Sequence, residues 1–146
     1  MKKTALIITL TLFSIAVKAQ EVKWDYSAKK TGNGIYELHF TASVPNPWHI
    51  YSHYLQVGGP VATTFKFDIP AVQLTDSIKE AGKLVEKFDP AFGIAIRYYE
   101  NRVDFIQSVR TGVGATAISG TVTYMICTED HCMPPVDMPF HIVLNP

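Results

Sequence analysis

The only two cysteines of the chain, Cys127 and Cys132, lie near its C-terminus in the stretch YMICTEDHCMPP. Such a pair is compatible with a structural disulfide, a site for a soft metal ion, or a redox pair that exchanges thiol for disulfide. The residues on either side predict two strands joined by the loop Thr128–His131, which would place the two cysteines opposite one another. Opposed residues of this kind have Cα separations of about 4.5 to 5.5 Å, which a disulfide tolerates.

A disulfide across so short a loop would be a weak structural staple. The chain-entropy relation gives a stabilisation of only about 2 kcal/mol, because a short loop restricts the unfolded chain little. A bond at the tip of a hairpin also opens without unfolding the rest of a domain, as a redox switch requires. The residues alone leave the structural and the redox interpretations both open.

The N-terminus predicts export. Lys2 and Lys3 form a basic head, the apolar run 5–17 follows, and small residues at 17–19 form a cleavage site, the pattern of a secretory signal peptide. The apolar run has 13 residues, fewer than the roughly 20 that cross a bilayer as a helix. We therefore expect residues 1–19 to be a signal peptide, and the mature protein to be periplasmic, with no membrane insertion after cleavage and with disulfides permitted.

The predicted mature chain, residues 20–146, has the size of one domain. The signal peptide contains three lysines, so 10 Lys+Arg remain against 13 Asp+Glu, a net charge of about −3. This charge does not indicate nucleic acid or an anionic membrane surface as a partner. Paired-carboxylate, nucleophile-elbow and phosphate-loop motifs are absent, so neither hydrolase nor nucleotide chemistry is supported.

Period-2 alternation of apolar and polar residues predicts an all-β domain. The segments with this pattern, or with short apolar runs between turn residues, are 22–26, 35–44, 61–69, 84–88, 94–99, 103–109, 120–127 and 136–144. Strands of this number and spacing predict an immunoglobulin-like antiparallel two-sheet β-sandwich. Residues 45–60 and 71–82 are expected to be loops or irregular edge segments. The alternation around Cys127 places its side chain away from the main core, toward solvent or a covering loop.

The order Tyr124, Cys127, Cys132, Pro134, Pro135, followed by a closing strand, resembles the N-terminal periplasmic domain of the transmembrane thiol-disulfide reductase DsbD. That family has a tyrosine before its first cysteine, a short acidic loop, and two prolines shortly after its second cysteine. The loop here has one residue fewer than in the best-known member.

Two further segments resemble the same family. The stretch 89–93, with Asp89 and Phe92, is similar to the cap loop that covers the family's disulfide, although a second acidic residue is missing. The stretch 48–51, which ends at Tyr51, is similar to the aromatic loop beside the cysteines.

The resemblance implies an immunoglobulin-like domain that cycles between dithiol and disulfide without a cofactor. It would take electrons from a thioredoxin-like protein and pass them to periplasmic proteins with disulfides. Cys132 would form the mixed disulfide with partners, and Cys127 would resolve it. The implied surround of the pair is Asp89, Phe92, Tyr51, Tyr124, His131 and Pro134. Because the sequence ends soon after the pair, we expect the reductant to be a separate protein.

Charges in the cysteine loop oppose one another. Glu129 and Asp130 disfavour a thiolate, whereas a protonated His131 favours one.

Two other functions remain open. Soft ligands for Cu(I) are concentrated here, with His49 and His53 as further candidates, although zinc-type ligand spacing is absent. The soft-ligand candidates are Met125, Cys127, His131, Cys132 and Met133. Alternatively, the chain is an immunoglobulin-like module that binds a partner and whose disulfide is purely structural.

Overall fold

The protein is described here by a computed structural model that covers residues 21–68 and 72–145. The predicted signal peptide lies outside these residues, as does the end of the strand predicted for 61–69. The strands are Lys23–Gly32 (β1), Ile35–Ser43 (β2), His49–Tyr51 (β3), Thr64–Phe67 (β4), Val72–Leu74 (β5), Lys79–Asp89 (β6), Ile94–Thr111 (β7), Ala117–Tyr124 (β8), Ile126–Cys127 (β9) and Val136–Val143 (β10). In this part of the chain there are no helices, and accordingly none long and apolar enough to cross a membrane.

The strands form two antiparallel sheets. The larger has seven strands in the order β1-β2-β7-β3-β9, with β5 and β6 also paired to β7. The smaller has the order β10-β8-β4. The long strand β7 organises the larger sheet, because β2 and β3 pair in succession along one edge of it and β5 and β6 along the other. The predicted antiparallel two-sheet β-sandwich is confirmed.

The main core lies between the two sheets. Strand β2 buries alternate residues, and Leu38 and Phe40 have no exposed surface. The ring of Phe40 contacts Phe65 of β4 and Phe140 of β10, with centroids 4.6 and 4.9 Å apart. Period-2 patterns therefore identified the residues that hold the sheets together.

Four segments differ from the sequence-based expectation. Residues 94–99 and 103–109, predicted as two strands, form the single strand β7, in which Asn101 has a positive φ of 61°. The expected loop 45–60 contains β3, and 71–82 contains β5 and the start of β6. Both faces of β3 are buried, so it lacks the alternation that marks a half-exposed strand.

The fourth difference positions the cysteines. The strand predicted for 120–127 is divided at Met125 into β8, which belongs to the smaller sheet, and β9, which belongs to the larger. Ile126 faces the main core, and Cys127 faces the other side of the larger sheet. The expectation that Cys127 points away from the main core is confirmed.

Candidate active site

Cys127 and Cys132 are joined in a disulfide across the loop that follows β9. Their Cα atoms are 4.0 Å apart, slightly closer than expected, and the two residues form an isolated antiparallel bridge. Backbone hydrogen bonds flank the bridge on both sides: Thr128 N–H donates to the His131 carbonyl at 2.8 Å, and Met133 N–H donates to the Ile126 carbonyl at 2.9 Å. The backbone therefore holds the two cysteines opposite one another independently of the bond between them.

The two cysteines differ sharply in burial. Cys127 is 1% exposed, whereas Cys132 is an exposed residue. Cys127 packs in a small hydrophobic cluster with Tyr51, Ile96 and Tyr98, separate from the main core. Cys132 is therefore accessible to solvent, while Cys127 is shielded.

The side chain of Thr128 shapes the cysteine loop. Its Oγ1 accepts hydrogen bonds from the backbone N–H groups of Asp130 and His131, both at 3.2 Å. This is the local side-chain turn that threonine commonly forms. The exposed His131 ring lies edge-on to Trp48, with centroids 5.1 Å apart. The loop is thus fixed at one end by its own threonine, and it contacts Trp48, which directly precedes β3.

The turn between β6 and β7, residues 89–93, lies beside the disulfide and is called the cap here. Gly93 N–H donates to the Asp89 carbonyl, and Ala91 N–H donates to Asp89 Oδ1, each at 2.8 Å. Gly93 has a φ of 69°, a conformation that glycine adopts without strain. Phe92 is 39% exposed at the tip of this turn.

One ion pair connects strand β6 to the cysteine loop. Lys87 Nζ lies 2.7 Å from Glu129 Oε2. Their hydrogen bond and mutual attraction raise the pKa of Lys87 and lower the pKa of Glu129. Both side chains are largely exposed, and pairs of this kind contribute little to stability. The ion pair matters for position, because it joins strand β6, which leads into the cap, to the cysteine loop.

The cap, the cysteine loop and β3 enclose a cleft of about 310 Å³. Among the residues predicted for the site, Cys132, Asp89, Phe92, Tyr51 and His131 line it. Three of the predicted residues are not in its lining, and the first of them is Cys127, which is buried and bonded to Cys132. Tyr124 is buried in the main core against Trp24, with ring centroids 5.4 Å apart, and Pro134 is exposed outside the cleft lining.

Lys87, Tyr98 and His49 also line the cleft and were not among the residues predicted for the site, although His49 was a candidate copper ligand and lies in the stretch 48–51 likened to the aromatic loop. His49 Nε2 and Tyr51 Oη are 3.2 Å apart, and the His49 ring lies against Tyr98 with centroids 4.3 Å apart. Burial lowers the pKa of His49, partly opposed by Glu129. Burial, reinforced by Asp89, raises the pKa of Tyr51 to about 12. The spacing of His49 and Tyr51 on one strand face was the available signal.

Comparison with known families identifies the domain. The model of the N-terminal region of the thiol:disulfide interchange protein DsbD matches residues 15–142. The chain belongs to this family. It is therefore a member of a family of thiol-disulfide redox domains, and it contains a disulfide. No curated protein sequence matches it.

Solved structures with a similar fold include the following two. The N-terminal periplasmic domain of ScsB from Proteus mirabilis superposes with a TM-score of 0.57 at 16% identity, covering 82% of this chain. This chain spans 44% of that one, less than half its length. The reduced DsbD N-terminal domain of Neisseria meningitidis gives a TM-score of 0.54 at 22% identity, covering 79% of this chain and 81% of that one. At these identities the likeness shows the fold alone, and it confirms the predicted immunoglobulin-like sandwich.

The arrangement in this DsbD-family domain offers little to a metal ion. Across residues 21–68 and 72–145, no three His, Cys, Asp or Glu side chains are placed to hold one. Both cysteine sulfurs are in the disulfide, and Met125 Sδ accepts a hydrogen bond from Val61 N–H at 3.4 Å. In this oxidised form neither cysteine sulfur is available as a thiolate ligand.

Proposed function

We propose that this domain is an exported, periplasmic thiol-disulfide exchange module. It accepts reducing equivalents from a thioredoxin-like protein and passes them to periplasmic proteins that contain disulfides. Cys132 forms the mixed disulfide with each partner, and Cys127 resolves it. The chemistry uses only these two sulfurs and needs no cofactor.

The observation that carries the proposal is the unequal burial of the two cysteines. Thiol-disulfide exchange requires in-line approach of one sulfur to another, so access decides which sulfur is attacked. The exposed Cys132 lies in the cleft beside the cap, and the buried Cys127 is reached only from within the domain. This division suits one partner-facing thiol and one internal thiol.

Reduction of the domain begins when a donor thiolate attacks Cys132 Sγ. The bond between the cysteines breaks, its electron pair goes to Cys127 Sγ, and a mixed disulfide joins the donor to Cys132. A second donor thiol then displaces Cys132, which leaves the donor oxidised and the domain as a dithiol.

Delivery of the electrons reverses these roles. The Cys132 thiolate attacks an acceptor disulfide and forms a second mixed disulfide. Cys127 then attacks Cys132 Sγ, which restores the internal disulfide and releases the reduced acceptor.

Single-cysteine variants test this assignment. Cys127→Ser should react readily with dithiobis(nitrobenzoate) and should trap a mixed disulfide with an oxidised thioredoxin-like protein. Cys132→Ser should react slowly and trap none, because its remaining thiol is buried. After unfolding in guanidinium, the two variants should react at the same rate. Equal rates in the folded state, or trapping through Cys127, would contradict the proposal.

A further inference from the structure

His49 occupies the position on β3 directly opposite Cys127 on β9. Directly opposed residues of an antiparallel pair project to the same face, with Cβ atoms about 4.5 to 5.5 Å apart. His49 is 6% exposed and Cys127 is 1% exposed. The imidazole and the buried sulfur therefore project to the same face of the sheet from neighbouring strands, and His49 also lines the cleft that Cys132 lines.

The buried thiol of Cys127 needs a proton acceptor when the domain is reduced. The thiolate is the nucleophile in exchange, and an apolar environment disfavours it. The carboxylates of Asp89 and Glu129 line the adjoining cleft, where Glu129 is paired with Lys87. Cys127 attacks from inside the domain, where water reaches it poorly. A neighbouring base would accept the thiol proton in place of water.

The surroundings of His49 keep its imidazole neutral. Burial is the largest influence on its pKa and lowers it, so the ring is uncharged at neutral pH and able to accept a proton. Titratable or charged groups face it from its own strand, from β6 and the cap, from β7, and from β9 with its loop. They are Tyr51, Lys87, Asp89, Tyr98, Glu100, Cys127, Glu129, Asp130, His131 and Cys132. Glu129 and Glu100 favour the imidazolium once it has formed, and Lys87 opposes it.

We propose that His49 is the general base of the resolving step, an inference that rests on the proposed exchange function. The Cys127 thiol gives its proton to the His49 imidazole. The sulfur electron pair then forms the bond to Cys132 Sγ, and the bond from Cys132 to the partner sulfur breaks. The partner leaves as a thiolate, and the imidazolium returns its proton to this leaving group or to water. Two thiols of the domain are oxidised and the partner disulfide is reduced.

The resolving step is measured by reacting the reduced mature protein with dithiobis(nitrobenzoate). Attack by Cys132 releases a first coloured thiolate at a rate proportional to reagent concentration. Attack by Cys127 on the resulting mixed disulfide releases a second at a rate independent of it. His49→Gln should slow the second release by about 100-fold at neutral pH, the low end for a positioned acid-base group, and leave the first unchanged. The matched control for losing an imidazole is His141→Gln, which replaces an exposed histidine on β10.

The pH profile separates proton transfer from mere packing. The second release in the wild type should level off once His49 is neutral, whereas in His49→Gln it should keep rising in proportion to hydroxide. An unchanged second release in His49→Gln, or its loss in His131→Gln instead, would overturn the role of His49 while leaving the exchange function intact. Failure of the wild type to release even the first thiolate would refute the exchange function and the role of His49 with it.

A measurement on proteins that keep His49 guards against misfolding of the variant. The His49 ring is titrated by NMR in the reduced wild type and in Cys127→Ser. Coupling to the thiol predicts that the midpoint and shape of the titration differ between the two proteins. Superimposable titrations would mean that His49 and Cys127 share no proton and would overturn the proposal.

Discussion

Reduction of the Cys127–Cys132 disulfide should weaken the domain only modestly and leave it folded. The bond closes a loop with a sequence separation of 5, for which the chain-entropy relation gives about 2 kcal/mol. The bond lies within one hairpin tip and does not join the two sheets. The main core between the sheets is separate from the small cluster that contains Cys127.

Urea unfolding of the oxidised protein and of the protein kept reduced tests this expectation. Both should unfold cooperatively. Their free energies of unfolding should differ by about 2 kcal/mol, which corresponds to roughly 6 to 12 °C in melting temperature for a domain of this size. Reduced protein is preferable to cysteine variants, because a substitution at the buried Cys127 adds a cavity or an unpaired polar group. Loss of about 4 kcal/mol or more, or unfolding on reduction, would identify the bond as a structural staple and refute the reasoning.

Three further outcomes are expected. Phe92→Ala should speed reduction of the disulfide by dithiothreitol, because Phe92 lines the cleft. The control Phe88→Ala should not, since Phe88 is 64% exposed but outside the lining. Equal reduction rates in the wild type and Phe92→Ala would show that the cap does not shield the disulfide. Glu80→Ala should cost about 2 kcal/mol in urea unfolding, since the Glu80 carboxylate accepts hydrogen bonds from three groups, including the buried Tyr99 hydroxyl at 2.8 Å; an unchanged midpoint would contradict this. Burial lowers the folded-state pKa of His49, so on acidification the unfolded chain binds this proton first, and the free energy of unfolding should fall as pH drops below about 6.5. His49→Gln should weaken this dependence of stability on pH. An identical pH dependence in the variant would contradict the assignment.

The sequence predicted the parts of the fold in which one face of a strand is buried. Strands β2 and β10 alternate in sequence and in burial, as predicted for the segments 35–44 and 136–144. Strand β3 is buried on both faces and is only three residues long, so its sequence has no period. Strand β6 is mostly exposed, and its pairing with β7 is what defines it. Such pairings are tertiary facts that a local pattern does not contain.

The candidate site was predictable to a similar extent. Local spacing predicted the opposed cysteines, and family resemblance suggested the cap and the aromatic segment, whose residues Phe92 and Tyr51 do line the cleft. The position of His49 opposite Cys127 was not predictable, because it depends on the register between two strands far apart in the chain. Tyr124 is in the main core since the chain changes sheets at Met125, one residue after it.

The reduction potential of the Cys127–Cys132 pair tests the central claim most directly. Mature protein is equilibrated in glutathione or dithiothreitol buffers, and its free thiols are counted. Exchange function predicts a potential within the range of known exchange catalysts, roughly −120 to −270 mV. A value well below about −300 mV, which is typical of structural disulfides, would mean that glutathione cannot open the bond and would contradict the account.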